Sequence, residues 1–308
     1  MVVTDPLETV GLGALMARTA GGPDVMVGLL DGPVALDHPD LAATRVELIP
    51  EVAGACRSRA SASCRHGTFV AGVLAARRGA PAPAIAPGCT LLVRPVFTEG
   101  ASGDFAEGPT GEPGATSGAL ATAIVECVDA GARILNVSAA FEPGPADGVR
   151  ELEEALTHAA RRGVIVVAAA GNDGAMAGSA LTRHPWVVPV VAYGRDGAPR
   201  AHSNLGRATG ARGLAAPGEG VHSLAPEGGS GAVMTGSSVA APFVTGTAAL
   251  LWSEFPGATA AEVRHALVSS TTGRRRQVAP PSLNASGAYE ALSALTGRDH
   301  HELSRARA

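Results

Sequence analysis

Met234-Thr235-Gly236-Ser237-Ser238-Val239-Ala240-Ala241-Pro242-Phe243-Val244-Thr245-Gly246 runs from a small-residue turn straight into an apolar helix, with a hydroxyl at the junction. A serine there stands at the positive end of the helix dipole, beside backbone N–H groups that lack helical partners. Such a place can stabilise negative charge as it forms on a carbonyl oxygen. Gly236 permits the tight turn, and Ala240 and Ala241 leave room above the hydroxyl. An ordinary buried helix with a serine cap uses the same residues and is the commoner case, so the weight falls on what stands upstream.

Three upstream features give that serine company. Val25-Met26-Val27-Gly28-Leu29-Leu30 is the unbroken apolar run of a strand buried on both faces, and it ends on Asp31. A carboxylate at the C-terminal end of a central parallel strand lies where α/β proteins place their chemistry. His66-Gly67-Thr68-Phe69-Val70-Ala71-Gly72 reads as a histidine opening a buried helix whose glycines allow close packing. Val164-Ile165-Val166-Val167-Ala168-Ala169-Ala170-Gly171-Asn172 is a second central strand ending on an asparagine, whose amide can donate to an oxyanion. Singly, these are a turn carboxylate, a structural histidine and an Asn turn. Together they supply a nucleophile (Ser238), a base (His66), an orienting acid (Asp31) and an oxyanion donor (Asn172) for acyl transfer.

The rest of the chain fits one α/β domain. Strands are expected at 90–96, 133–137 and 186–192, and helices at 116–130, 148–162, 259–269 and 287–295. Residues 42–63 read as strand remnants and loop. Residues 98–115, rich in Gly, Pro and acids, are either a loop beside a groove or an irregular excursion. All 24 basic residues are arginine, and the net charge of −4, without a basic patch, excludes a nucleic-acid surface. Arg274-Arg275-Arg276 reads as a solvated loop. The acidic start lacks a secretory pattern, and no run is long enough to span a membrane, so a cytoplasmic protein is expected. The segment 1–20 reads as a docking segment with a small helix at Val10–Met16, 21–296 as the domain, and 297–308 as a frayed tail. Cys56, Cys64, Cys89 and Cys127 lack zinc-site spacing. Cys56 and Cys64 lie in one expected loop and could pair, but reduced thiols suit the expected compartment better.

In their order and spacing, the Asp31 strand, His66-Gly67-Thr68, Ala170-Gly171-Asn172 and Gly236-Ser237-Ser238-Val239-Ala240-Ala241-Pro242 resemble the subtilisin-type serine proteases over roughly residues 20–270. The resemblance implies an α/β fold, a doubly wound, mostly parallel sheet of about seven strands with helices on both faces. It implies Ser238 as nucleophile, His66 as base, Asp31 as its orienting acid, and Asn172 with the Ser238 N–H as the oxyanion hole. The substrate would be a polypeptide bound as an extended strand between residues near 97–103 and 138–141. Its primary side-chain pocket would lie between Ser138, Ala139 and Ala140 on one side and Ala168, Ala169, Ala170 and Gly171 on the other.

The departures from the pattern narrow the resemblance. Gly32-Pro33-Val34 follows the aspartate where the family usually has Ser or Thr then Gly, and Phe69 replaces a common second histidine. Asp31-Gly32-Pro33-Val34, with His38-Pro39, Ile85-Ala86-Pro87-Gly88-Cys89 and Ala170-Gly171-Asn172-Asp173-Gly174, resembles the cyanobactin-maturation proteases, which trim ribosomally made precursor peptides. Asp31 and His66 are 35 positions apart, too few for the inserted cap of the macrocyclising branch. Leader-side trimming is therefore expected, with a general intracellular protease and a peptide-binding pseudoprotease as the other readings. No prodomain is expected before Asp31. No metal and no cofactor are expected. The family's strong calcium site needs an oxygen-rich loop, and Arg77-Arg78-Gly79-Ala80-Pro81-Ala82-Pro83 offers hardly any oxygen ligand. Asp40 alone could join a weaker calcium site.

Overall fold

The computed structural model describes residues 5–49, 54–97, 114–138, 140–141, 146–229, 231–273 and 275–297. Its strands in chain order are β1 (Met26–Asp31), β2 (Arg45–Leu48), β3 (Thr90–Pro95), β4 (Gly114–Ala115), β5 (Ile134–Val137), β6 (Ala140–Phe141), β7 (Ile165–Ala169), β8 (Val188–Tyr193), β9 (Leu214–Pro217), β10 (Val221–Ser223) and β11 (Ala232–Met234). The helices are α1 (Pro6–Thr9), α2 (Leu12–Arg18), α3 (Ala62–Ala75), α4 (Ser117–Asp129), α5 (Ala146–Arg161), α6 (Ala180–Arg183), α7 (Arg207–Arg212), α8 (Ser237–Glu254), α9 (Ala260–Ser269) and α10 (Ala285–Leu295).

Seven strands form one parallel sheet in the order β2-β3-β1-β5-β7-β8-β9. Alternation along each strand divides the core in two. Val27 and Leu29 of β1, with Ile165 and Val167 of β7, face the layer containing α2, α3, α8, α9 and α10. Leu30, Val166 and Ala168 face the layer containing α4, α5 and α6. Burial on both faces is why the strands read as unbroken apolar runs. The helix α8 is enclosed all round, with every residue from Ser237 to Trp252 buried, which accounts for its apolar sequence without a polar face.

This topology selects one place for chemistry. From β1 the chain runs to the edge strand β2, comes back to β3 between the two, and then crosses to the other side of β1 at β5. Strand order thus reverses beside β1, and a crevice opens at the carboxyl ends of the strands there. Asp31 ends β1, Ser138 follows β5 and Asn172 follows β7.

Several expectations are corrected. The helix carrying His66 begins at Ala62, capped by Ser61, whose hydroxyl accepts from the Cys64 N–H at 3.1 Å. His66 therefore sits in its second turn rather than at its mouth. Cys64 lies in that helix rather than in a loop, and it forms a disulfide with Cys56 across a Cα–Cα distance of 5.5 Å, against the expected reduced thiols. The N-terminal segment forms two helices, α1 and α2, in place of one at Val10–Met16. Residues 45–48 are a full edge strand. Arg275 is tucked in, donating to the carbonyls of Gly210, Gly213 and Val268 at 2.8–3.2 Å. The expected tail, 297–308, falls outside the described residues apart from Gly297. Among the described residues, no helix is long and apolar enough to cross a membrane.

Candidate active site

Asp31 is completely buried, and its Oδ1 accepts from the Gly32 N–H at 2.6 Å. Oδ2 has no hydrogen-bond partner among the described residues. The packing explains why glycine follows the aspartate: a Cβ on Gly32 would lie 2.0 Å from the Ser63 carbonyl oxygen. A Cβ on Gly67 would lie 2.4 Å from the carbonyl oxygens of both Gly32 and Pro33. Helix α3 thus rests directly on the backbone leaving β1, backbone against backbone, and this contact sets the height of His66 above the sheet.

From there His66 reaches in both directions. Its Nδ1 is 2.7 Å from Asp31 Oδ1, and its Nε2 is 3.0 Å from Ser238 Oγ. Only the tautomer protonated at Nδ1 satisfies both contacts, donating to the carboxylate and accepting from the hydroxyl. Thr68, two residues further along α3, accepts from the Ala35 N–H at 3.0 Å and ties the helix to the chain beyond Asp31.

Ser238 is the second residue of α8, and 3% of it is exposed. Asn172 lies beside it, its Oδ1 accepting from the Ser237 N–H at 2.9 Å. The Ser237 hydroxyl accepts from the Gly171 N–H at 3.0 Å. These reciprocal bonds join the end of β7 to the start of α8. Asn204 was not singled out in the sequence, yet its Oδ1 accepts from the N–H groups of Asp173 and Ala175, both at 2.9 Å, and shapes the turn after Asn172. The four residues Asp31, His66, Asn172 and Ser238 therefore converge. What they offer is a hydroxyl paired to a base, a buried acid behind the base, and amide donors at a helix N-terminus.

The expected pocket residues divide. Ser138 is buried and hydrogen-bonded to the Ser238 carbonyl. Ala168, Ala169 and Ala170 are buried at the end of β7, leading to Gly171 beside α8. Ala140 lies in β6, which pairs in parallel with β4 as Gly114↔Ala140 and Ala115↔Phe141. Ala139 lies outside the described residues, as do residues 98–103 of the expected substrate edge.

The expected weak calcium ligand, Asp40, is ion-paired with Arg77 at 2.5 Å. Arg78 donates to the carbonyls of Met16 and Thr19 at 2.5 and 2.7 Å. Two guanidinium groups thus join the turn, the loop after α3 and the N-terminal segment. Among the described residues, no three His, Cys, Asp or Glu side chains cluster as metal ligands.

The subtilase family model matches residues 22–295, and the chain belongs to that family of serine peptidases. Subtilisin DY of Bacillus licheniformis is 29% identical over 265 residues, which make up 84% of this chain and 87% of that protein. Among solved structures, the prenylagaramide maturation protease PagA superposes with a TM-score of 0.78 at 30% identity, covering 92% of this chain and 99% of that one. The patellamide maturation protease PatA superposes with a TM-score of 0.72 at 31% identity, covering 89% of this chain and 98% of that one.

Proposed function

We propose that this chain is a peptide-maturation endopeptidase that trims a ribosomally made precursor on its leader side through an acyl-enzyme. The unbroken run from Asp31 through His66 to Ser238, at 2.7 and 3.0 Å, carries the chemical half of the reading. The likeness to PagA and PatA over about nine-tenths of the chain carries the substrate half.

In this reading Ser238 Oγ attacks the scissile carbonyl as His66 Nε2 takes its proton. Asp31 holds the ring in its reactive tautomer and stabilises the imidazolium that forms. The oxyanion is received by the Asn172 side-chain amide and the Ser238 N–H, both at the N-terminus of α8. His66 then protonates the leaving amine, and water enters by the reverse route. The precursor lies extended beside the segment that carries β6, its backbone pairing as an added strand. Its side chain before the cut faces Ser138 and the segment from Ala168 to Gly171. No metal or cofactor takes part, and the Arg77–Asp40 pair does the joining that a bound calcium would do. Equilibrium dialysis finding tightly held calcium would overturn that last point.

The test is to incubate the protein with casein and, separately, with a precursor peptide encoded beside its gene. A single site-selective cut of the precursor with slow casein turnover is expected. Rapid casein digestion without a site-selective precursor cut would make it a general protease instead. Ser238→Ala should fold and lose turnover by several orders of magnitude. Failure of a fluorophosphonate to label Ser238 in the folded protein would leave a peptide-binding pseudoprotease.

A further inference from the structure

Helix α8 contains a proline, Pro242, four residues after Ser238. In an α-helix the N–H at i+4 bonds the carbonyl at i, and proline has no N–H to give. The main-chain carbonyl of Ser238 has therefore lost its helical partner, in a residue too buried for water to replace it. The Ser138 hydroxyl fills the gap, donating to the Ser238 carbonyl at 3.1 Å.

A serine hydroxyl can rotate, and its proton goes wherever its other partner permits. Here that partner is Asn136, whose Nδ2 donates to Ser138 Oγ at 2.6 Å and turns the Ser138 proton toward Ser238. The Asn136 amide is itself set by Thr245, whose hydroxyl donates to Oδ1 at 2.8 Å. A helical threonine can bond its hydroxyl to the carbonyl four residues back; Thr245 points to Asn136 instead. Asn136 and Thr245 are completely buried, and 3% of Ser138 is exposed. The donors all point one way, from Thr245 to Asn136 to Ser138 to the Ser238 carbonyl. The Ser138 N–H also reaches the Leu30 carbonyl at 3.4 Å, tying this chain of bonds to the residue before Asp31.

We propose that Thr245, Asn136 and Ser138 are positioning residues that hold the backbone of Ser238 in register with His66 and Asn172. The proposal rests on the reading of Ser238 as the nucleophile. Without the Thr245 hydroxyl, Asn136 Oδ1 is left buried without a donor and the amide loses the contact that fixes its orientation. Turned over, it draws the Ser138 proton away and leaves the Ser238 carbonyl unheld.

The experiment compares wild type, Thr245→Val and Thr245→Ser by peptide hydrolysis and by the rate of fluorophosphonate labelling, both normalised to folded protein. Valine keeps the shape and removes the hydroxyl, and serine restores it. Thr245→Val is expected to lower kcat and the labelling rate roughly tenfold to a hundredfold, the cost of a small misplacement, with KM within about twofold. Thr245→Ser is expected to recover most of that loss. Ser138→Ala, which leaves the Thr245–Asn136 bond intact, should slow labelling to a similar degree, and it carries the test if Thr245→Val does not fold. Folded Thr245→Val or Ser138→Ala that labels at the wild-type rate would overturn the proposal, as would a loss that serine does not restore. A wild-type protein that is not labelled at all would instead overturn the assignment of Ser238.

Discussion

Asn172 accepts through its Oδ1 from the backbone N–H of Ser237 at 2.9 Å, and this bond fixes which way the amide is turned. A backbone N–H can only donate, so the acceptor end of Asn172 is committed to it and the donor end, Nδ2, is turned away from Ser237; in the proposed mechanism it is Nδ2 that serves the oxyanion. Asn172→Ala should therefore lower kcat by about 10²–10³ with little change in KM. Asn172→Asp sharpens the point: it still accepts from Ser237 but presents an oxygen where the donor stood. It should be at least as slow as the alanine variant, and an aspartate variant keeping a tenth or more of wild-type kcat would refute the orientation.

The contact between Gly67 and the carbonyl oxygens of Gly32 and Pro33 makes a second prediction. A Cβ at 2.4 Å from two backbone oxygens cannot be absorbed by a side-chain movement, so α3 must lift. Gly67→Ala should cost about 1–3 kcal/mol in unfolding free energy and, since His66 moves with the helix, also lower kcat. Gly257→Ala is the control: nothing lies within 4 Å of its added Cβ, and its stability should stay within about 0.5 kcal/mol of wild type. Equal effects at the two positions, by denaturant titration, would count against the backbone-on-backbone account.

The parallel core was legible because strands buried on both faces show in the sequence as apolar runs, and β1, β7 and β8 each do so. The site was legible because Asp31, Asn172 and Ser238 stand at ends of such elements. Links between distant residues were not. Thr245 and Asn136 are 109 positions apart, and neither carries a local pattern that names the other. An asparagine inside the strand Ile134–Val137 was a signal of a buried polar contact, though not of its partner. The start of α3 was hidden because Ala62-Ser63-Cys64 shows no helical periodicity, the Ser61 cap being the one local cue. Arg275 read as solvated because the carbonyls it binds, at Gly210 and Gly213, come from over 60 positions away.

Cysteine chemistry gives a third prediction. Cys89 and Cys127 are free and buried, and burial pushes both thiols up, that of Cys127 to about 12. Neither should react with an aromatic disulfide reagent in the native protein at pH 8, since the thiolate is the reactive form. Unfolding without reductant should release two thiols, and unfolding with reductant four, because Cys56 and Cys64 are joined. Closing a separation of eight residues contributes about 2.5 kcal/mol in the chain-entropy account, so reduction should lower the denaturant midpoint. Four thiols on unfolding without reductant would show that the bridge is absent.

His184 gives the last prediction, concerning pH. It caps the end of α6, where its Nδ1 accepts from the Trp186 N–H and its Nε2 meets the Thr157 hydroxyl, both at 3.3 Å. Protonation would place a second N–H against that of Trp186. Burial holds its pKa below the ordinary value of 6.5, the nearby Arg212 guanidinium lowers it further, and Glu153 opposes them. Arg212 is fixed there, donating to the carbonyls of Thr182 and His184, both at 2.7 Å. With the folded pKa below the unfolded one, the unfolded chain binds more protons in that window, so stability rises with pH. The contribution of His184 is complete above about pH 7 and is lost as pH falls from the unfolded value through the folded one. Urea midpoints measured from pH 7.5 to pH 5 should therefore fall more steeply for wild type than for His184→Gln, which keeps a hydrogen-bonding side chain but does not titrate. Parallel curves would show that the His184 site does not distinguish the two protonation states.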